Sequence, residues 1–119
     1  IKNIKLPVSA PFHCELMRSA TIKMKEELST VEFKKPKINI ISNVTALPTN
    51  DPSEIKNLLI KQIENPVRWR EIVTNMIDSK VEKFIEIGPG KVLSGLVKRI
   101  NNNVKLIQIN ELEDLNNLI

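Results

Sequence analysis

Short β-branched runs alternating with amphipathic helices predict an α/β fold, a largely parallel sheet flanked by helices. Three stretches carry that reading. "KPKINIISN" holds Ile38, Ile40 and Ile41, a run that reads as a buried strand with a polar exit at Ser42 and Asn43. "KFIEIGPGK" drives a strand into a glycine turn that opens a helix, and "VKLIQIN" is a last strand.

The elements follow in order along the chain. Ile4 to Val8 is an apolar run that reads as a short strand, and Pro11 marks the turn behind it. From Cys14 to about Thr30, Met17, Ala20, Met24, Leu28 and Val31 recur at three- or four-residue steps, the spacing of an amphipathic helix. "LPTNDPSE" supplies loop chemistry and an N-cap at Asp51 or Ser53. The next helix carries Ile55, Leu58, Leu59, Gln62 and Ile63 on one face. Past Asn65 and Pro66, Trp69, Ile72, Val73 and Met76 mark a helix from Val67 to about Ser79. Val92, Leu93, Leu96, Val97 and Ile100 mark the helix after the glycine turn, and Leu112, Leu115 and Ile119 suit a short terminal helix. Nothing repeats at a fixed period.

Composition narrows the function classes. A chain of 119 residues fits one modest domain with a core of its own. It begins at Ile1 and enters an apolar run at once, as expected of a piece of something longer. The single cysteine forms no internal disulfide, and no apolar stretch approaches the ~20 residues that cross a bilayer. No charged start followed by a long apolar centre marks a signal peptide. A soluble protein of the reducing cytoplasm, without a membrane partner, is the expectation. The formal charge of +4 comes from 18 Lys and Arg against 14 Asp and Glu. In "KMKEEL" the signs alternate, as on a solvated face. The chain lacks tyrosine and a concentrated basic face, which argues against nucleic acid as a partner.

Three places carry possible chemistry. His13, the only histidine, lies in a loop between a strand and a helix, where a rigid scaffold positions functional groups. Its imidazole suits proton transfer near neutral pH, yet a lone histidine at a helix start is more often a partly buried packing or capping residue. Adjacent Cys14 reads as a buried, inert thiol, because neighbouring side chains point in different directions. Gln62 is an amide on an otherwise apolar helix face. It either reaches water at the face's edge or lines a polar site. "GPGKVL" (Gly88 to Leu93) lacks the spacing and the Ser/Thr of a phosphate loop, so it reads first as a structural turn and second as an anion-holding helix start. No metal site is expected.

In order, "LPVSAPFHCELM", "NPVRW" and "EIGPGKVLSGLVKRI" resemble successive signatures of the bacterial malonyl-CoA:acyl carrier protein transacylases, in the C-terminal part of that family. The resemblance implies an α/β-hydrolase-like large subdomain with an inserted ferredoxin-like small one. Residues 1–10 would end the small subdomain, and 11–119 would form the C-terminal half of the large one. It also implies ping-pong transfer: a serine takes malonyl from malonyl-CoA as an ester and passes it to the phosphopantetheine thiol of acyl carrier protein, in fatty-acid biosynthesis. His13 falls on the family's general base, and Gln62 matches the residue whose main-chain carbonyl orients it. Phe12 and Asn43 fall on the substrate side, with the Phe12 ring crowding out an α-methyl substituent. No cofactor is implied beyond the partner's own phosphopantetheine.

The departures set the expectation for this chain. It contains no Gly-x-Ser-x-Gly elbow, no Gly-Gln-Gly stretch for an oxyanion hole, and no match to the arginine that pairs with malonate. Alone it is expected to be inactive, with the missing N-terminal portion of the enzyme as its partner and with apolar sheet surface left bare. A non-catalytic remnant or interaction module of the same fold is the alternative. Lys91, Lys98 and Arg99 read either as contacts for an acidic carrier protein or as solvated helix charges.

Overall fold

A computed structural model describes residues 10–118. The Ile4 to Val8 strand expected from the sequence lies outside them. The chain divides into two compact units, with the boundary between Trp69 and Arg70.

In the first unit, a 3-10 turn over Glu15–Met17 leads into α1 (Arg18–Ser29). β1 (Ile40–Ile41) pairs antiparallel with β2 (Pro48–Thr49), Ile40 opposite Thr49 and Ile41 opposite Pro48. α2 (Pro52–Lys61) follows. The helix starts where Asp51 caps it: the carboxylate accepts the Glu54 N–H at 2.6 Å, and Pro52 sits where a missing N–H costs nothing. α1 and α2 pack together, and the Lys56 ammonium donates to the Ser29 carbonyl at 3.4 Å at the end of α1. Leu58 and Ala46 are the buried apolar residues of this unit among those described.

Two expectations need correction here. The "KINII" run is not a buried strand: Ile38 is 76% exposed and Ile40 41%. Its pairing covers two residues only. Beyond them the Ser42 carbonyl accepts Ala46 N–H at 2.9 Å and Asp51 N–H donates to Thr49 Oγ1 at 3.3 Å, local turn bonds in place of further ladder bonds. The β1 partner itself comes from the segment that the sequence marks as loop. The α1 stripe is also barely covered, with Met24 41% exposed and no buried residue in the helix.

The second unit is built on β3 (Lys83–Ile87), α4 (Val92–Ile100) and β4 (Lys105–Ile109). The strands pair parallel, in register from Lys83 opposite Lys105 to Ile87 opposite Ile109. Parallel strands need a crossover, and α4 is that crossover, packed on both strands. α3 (Trp69–Asp78) precedes them, with Ile72 and Val73 buried, and a 3-10 segment over Leu112–Leu118 follows. Val97, Ile107 and Ile109 are buried as well. The parallel sheet is therefore small, with two strands among the described residues.

α3 ends in a left-handed cap. Val81 N–H reaches back to the Met76 carbonyl at 3.0 Å and Lys80 N–H to Ile77 at 2.9 Å, the paired bonds of a Schellman motif. Lys80 occupies the position that normally takes glycine, with φ of 68°.

Candidate active site

All four residues that the sequence nominates lie in the first unit. His13 follows a tight turn in which Phe12 N–H donates to the Ala10 carbonyl at 3.0 Å. Its own backbone is left-handed, φ 60°. Histidine is among the few side chains enriched in that region, and strain of this kind persists only where surrounding contacts hold it. A bond across 49 positions of sequence anchors its side chain: His13 Nδ1 lies 2.8 Å from the main-chain oxygen of Gln62.

That acceptor exists because α2 ends there. Gln62 is the C-cap residue, and the carbonyls of a helix's last turn have no intrahelical N–H. Lys61 fills its own with the Asn65 side-chain amide at 2.7 Å, and Gln62 fills its own with the imidazole. A carbonyl only accepts, so Nδ1 carries the proton. In the neutral ring Nε2 then presents a lone pair, the form a general base requires. His13 is exposed, so this nitrogen is open to a reacting group.

The Gln62 side chain does not reach for water. Its Oε1 accepts from Asn43 Nδ2 at 3.0 Å, while the Asn43 main-chain oxygen accepts from Arg68 N–H at 3.1 Å. Arg68 Nη1 donates to the Thr45 carbonyl at 3.1 Å. Beside this network β1 and α2 enclose a cleft of about 90 Å³, lined by Ile41, Asn43, Leu58 and Gln62 among others. Ligand sites run to roughly 300–1,000 Å³, so the cleft takes no substrate whole. Phe12 is 59% exposed on the turn before the base. Cys14 is half-buried rather than buried, and its thiol donates to the Pro11 carbonyl at 3.1 Å.

In the second unit the glycine turn is already satisfied from within. Glu86 Oε1 accepts from Leu93 N–H at 3.0 Å, and Oε2 accepts from Ser94 N–H at 2.8 Å and Ser94 Oγ–H at 2.6 Å. The Ser94 hydroxyl above all, then its N–H, holds the Glu86 carboxyl below its ordinary range against a smaller opposing effect of burial. Gly90 N–H is taken by the Asn110 side chain at 2.7 Å. The second reading of "GPGKVL" as an anion site thus fails, because the chain's own carboxylate occupies the helix start. Sequence reasoning passed over Glu86, although a carboxylate on the strand entering a glycine turn was the available signal. Among the described residues no cluster of three or more His, Cys, Asp or Glu is placed to hold a metal ion, and no helix is long and apolar enough to cross a membrane.

Over 112 residues, 94% of its length, the chain is 46% identical to the malonyl CoA-acyl carrier protein transacylase of Bacillus subtilis strain 168. This chain is a homologue of part of that enzyme family. It spans 35% of the Bacillus transacylase. An acyl carrier protein S-malonyltransferase from Vibrio cholerae superposes on 96% of the chain with a TM-score of 0.87 and 44% identity, the match covering 37% of the Vibrio chain. A malonyl-transacylase solved in complex with its type II polyketide-synthase acyl-carrier protein superposes on 92% of this chain, and on 36% of its own, with a TM-score of 0.83 and 38% identity. No protein-family model matches the chain. Over the superposed residues these solved transacylases share the α/β fold of this chain.

Proposed function

We propose that this chain is the general-base portion of a malonyl-CoA:acyl carrier protein transacylase, corresponding to the C-terminal part of the enzyme. The bond from His13 Nδ1 to the Gln62 carbonyl at 2.8 Å carries the reading, because it sets the tautomer that a serine nucleophile needs. In this scheme a serine outside these 119 residues attacks the thioester carbonyl of malonyl-CoA. His13 Nε2 takes the serine proton and returns it to the departing coenzyme A thiolate, leaving a malonyl ester. The phosphopantetheine thiol of acyl carrier protein then gives its proton to Nε2 and attacks the ester, and the proton passes back to the serine oxygen. Nδ1 stays bonded to the carbonyl throughout, so each transfer occurs without reorienting the ring.

Phe12, next to the base and exposed, is suited to crowding an α-substituted acyl group. Exposed Lys91, Lys98 and Arg99 are candidate contacts for the acidic surface of a carrier protein. The large subdomain to which residues 11–119 would contribute is α/β-hydrolase-like, with residues 1–10 ending a ferredoxin-like insertion. The whole works in the cytoplasm and uses no cofactor of its own. Without the serine, the chain alone is inactive.

His13→Ala in the enzyme containing this chain should lower malonyl transfer to acyl carrier protein by at least the ~10²–10⁴-fold typical of a lost general base. Undiminished transfer would remove the assignment. A second reading has its own support: the same bond satisfies the last carbonyl of α2, a purely structural cap. That reading predicts lost stability with normal transfer.

A further inference from the structure

We infer that Asn43 is a positioning residue for the imidazole, acting through Gln62, rather than a contact for substrate. The observation is a clamp. Asn43 Nδ2 donates to the Gln62 side chain at 3.0 Å, and the Asn43 main-chain oxygen takes Arg68 N–H at 3.1 Å. One residue thereby holds both ends of the stretch 62–68 that leaves α2.

The clamp matters because of where the imidazole's acceptor sits. Helix ends fray, and a C-cap carbonyl has no intrahelical bond to fix its direction. The bond that Gln62 makes through its side chain supplies a restraint on the same residue whose carbonyl His13 uses, transmitted through the side-chain torsions and ψ. The mount is rigid. Ala46 N–H closes the turn on the Ser42 carbonyl at 2.9 Å, and Val44 N–H is held by Ser42 Oγ at 3.1 Å. Ala46 is 1% exposed. The half-buried Asn43 amide commits one of its two N–H donors to Gln62.

The inference rests on His13 as the base, and a readout on the ring itself separates the two. His13 is the only histidine, so the imidazole nitrogens of the intact 119-residue chain give one set of signals in a long-range ¹H–¹⁵N spectrum. The wild-type chain should show the Nδ1–H tautomer. Asn43→Ala should cut the ratio of Nδ1–H to Nε2–H about fivefold, the effect of losing on the order of one hydrogen bond. Gln62→Leu, which keeps the carbonyl but loses the tether, should do the same. Gln62→Glu keeps an oxygen for Asn43 Nδ2 and should retain the wild-type ratio. A ratio unmoved in folded Asn43→Ala overturns the inference. Should that variant not fold, equal ratios in Gln62→Leu and Gln62→Glu overturn it instead. Added malonate shifting the Asn43 amide signals while Gln62→Leu leaves the ratio unchanged also overturns it, in favour of a substrate contact. A tautomer shift in enzyme whose malonyl transfer survives His13→Ala would refute the proposed function and leave the clamp standing.

Discussion

His13 Nδ1 and the main-chain oxygen of Gln62 meet at 2.8 Å, joining a strained loop to the last turn of a helix. The bond serves two masters, the orientation of a ring and the termination of α2, and substitutions at position 13 separate them.

His13→Ala loses the cap and leaves a Cβ in left-handed backbone, φ 60°, whereas His13→Gly loses the cap but relaxes the backbone. Urea unfolding should place the alanine variant about 1 kcal/mol below wild type and the glycine variant about 0.5 kcal/mol below it. Equal losses would mean that the backbone at 13 is not under strain. Both variants should lose proton transfer alike.

Lys80 offers the opposite case, a left-handed residue with an exposed side chain. Lys80→Gly at φ 68° should stabilise the chain by about 0.5 kcal/mol, the relief of a left-handed lysine less the extra freedom of glycine in the unfolded chain. A melting point about 2 °C higher would register it, and Lys80→Val should lower the melting point.

Glu86 gives stability a pH dependence with a fixed sign. Its carboxyl titrates lower folded than unfolded because Ser94 and Leu93 bond the charged form. The stabilisation is therefore complete above the ordinary value of 4.5 and is lost as pH falls through the lower, folded value. Glu86→Gln should be less stable than wild type at pH 7, and the gap should narrow on acidification below the ordinary carboxyl value of 4.5. A gap independent of pH would show that the charge contributes nothing.

The bare face of β3 bears on solution behaviour. Ile85 is 44% exposed and Ile87 78%, on a strand bonded along one edge only among the described residues. The isolated chain should associate as concentration rises, and sedimentation should find Ile87→Lys less associated.

Helix periods were legible because a stripe such as Ile55, Leu58 and Leu59 depends on local spacing alone, and Asp51 announced α2 by its own chemistry. β1 and β2 were misjudged because pairing partners such as Ile40 and Thr49, or Ile41 and Pro48, leave no periodic trace in one sequence. At the site, residue types singled out both His13 and Gln62, and the family resemblance implied the roles that pair them. The Asn43 tether stayed hidden, since an amide spaced 19 residues from its partner has no signature in one sequence. Glu86 was overlooked because the glycines beside it drew the eye to an external anion.

Orienting an imidazole with a peptide oxygen has an evolutionary corollary. An aspartate in that role disappears with one codon change, whereas every amino acid placed at position 62 still brings a carbonyl. Inheritance therefore protects the acceptor itself. Drift can reach only its aim, through the side chains that fix how α2 ends.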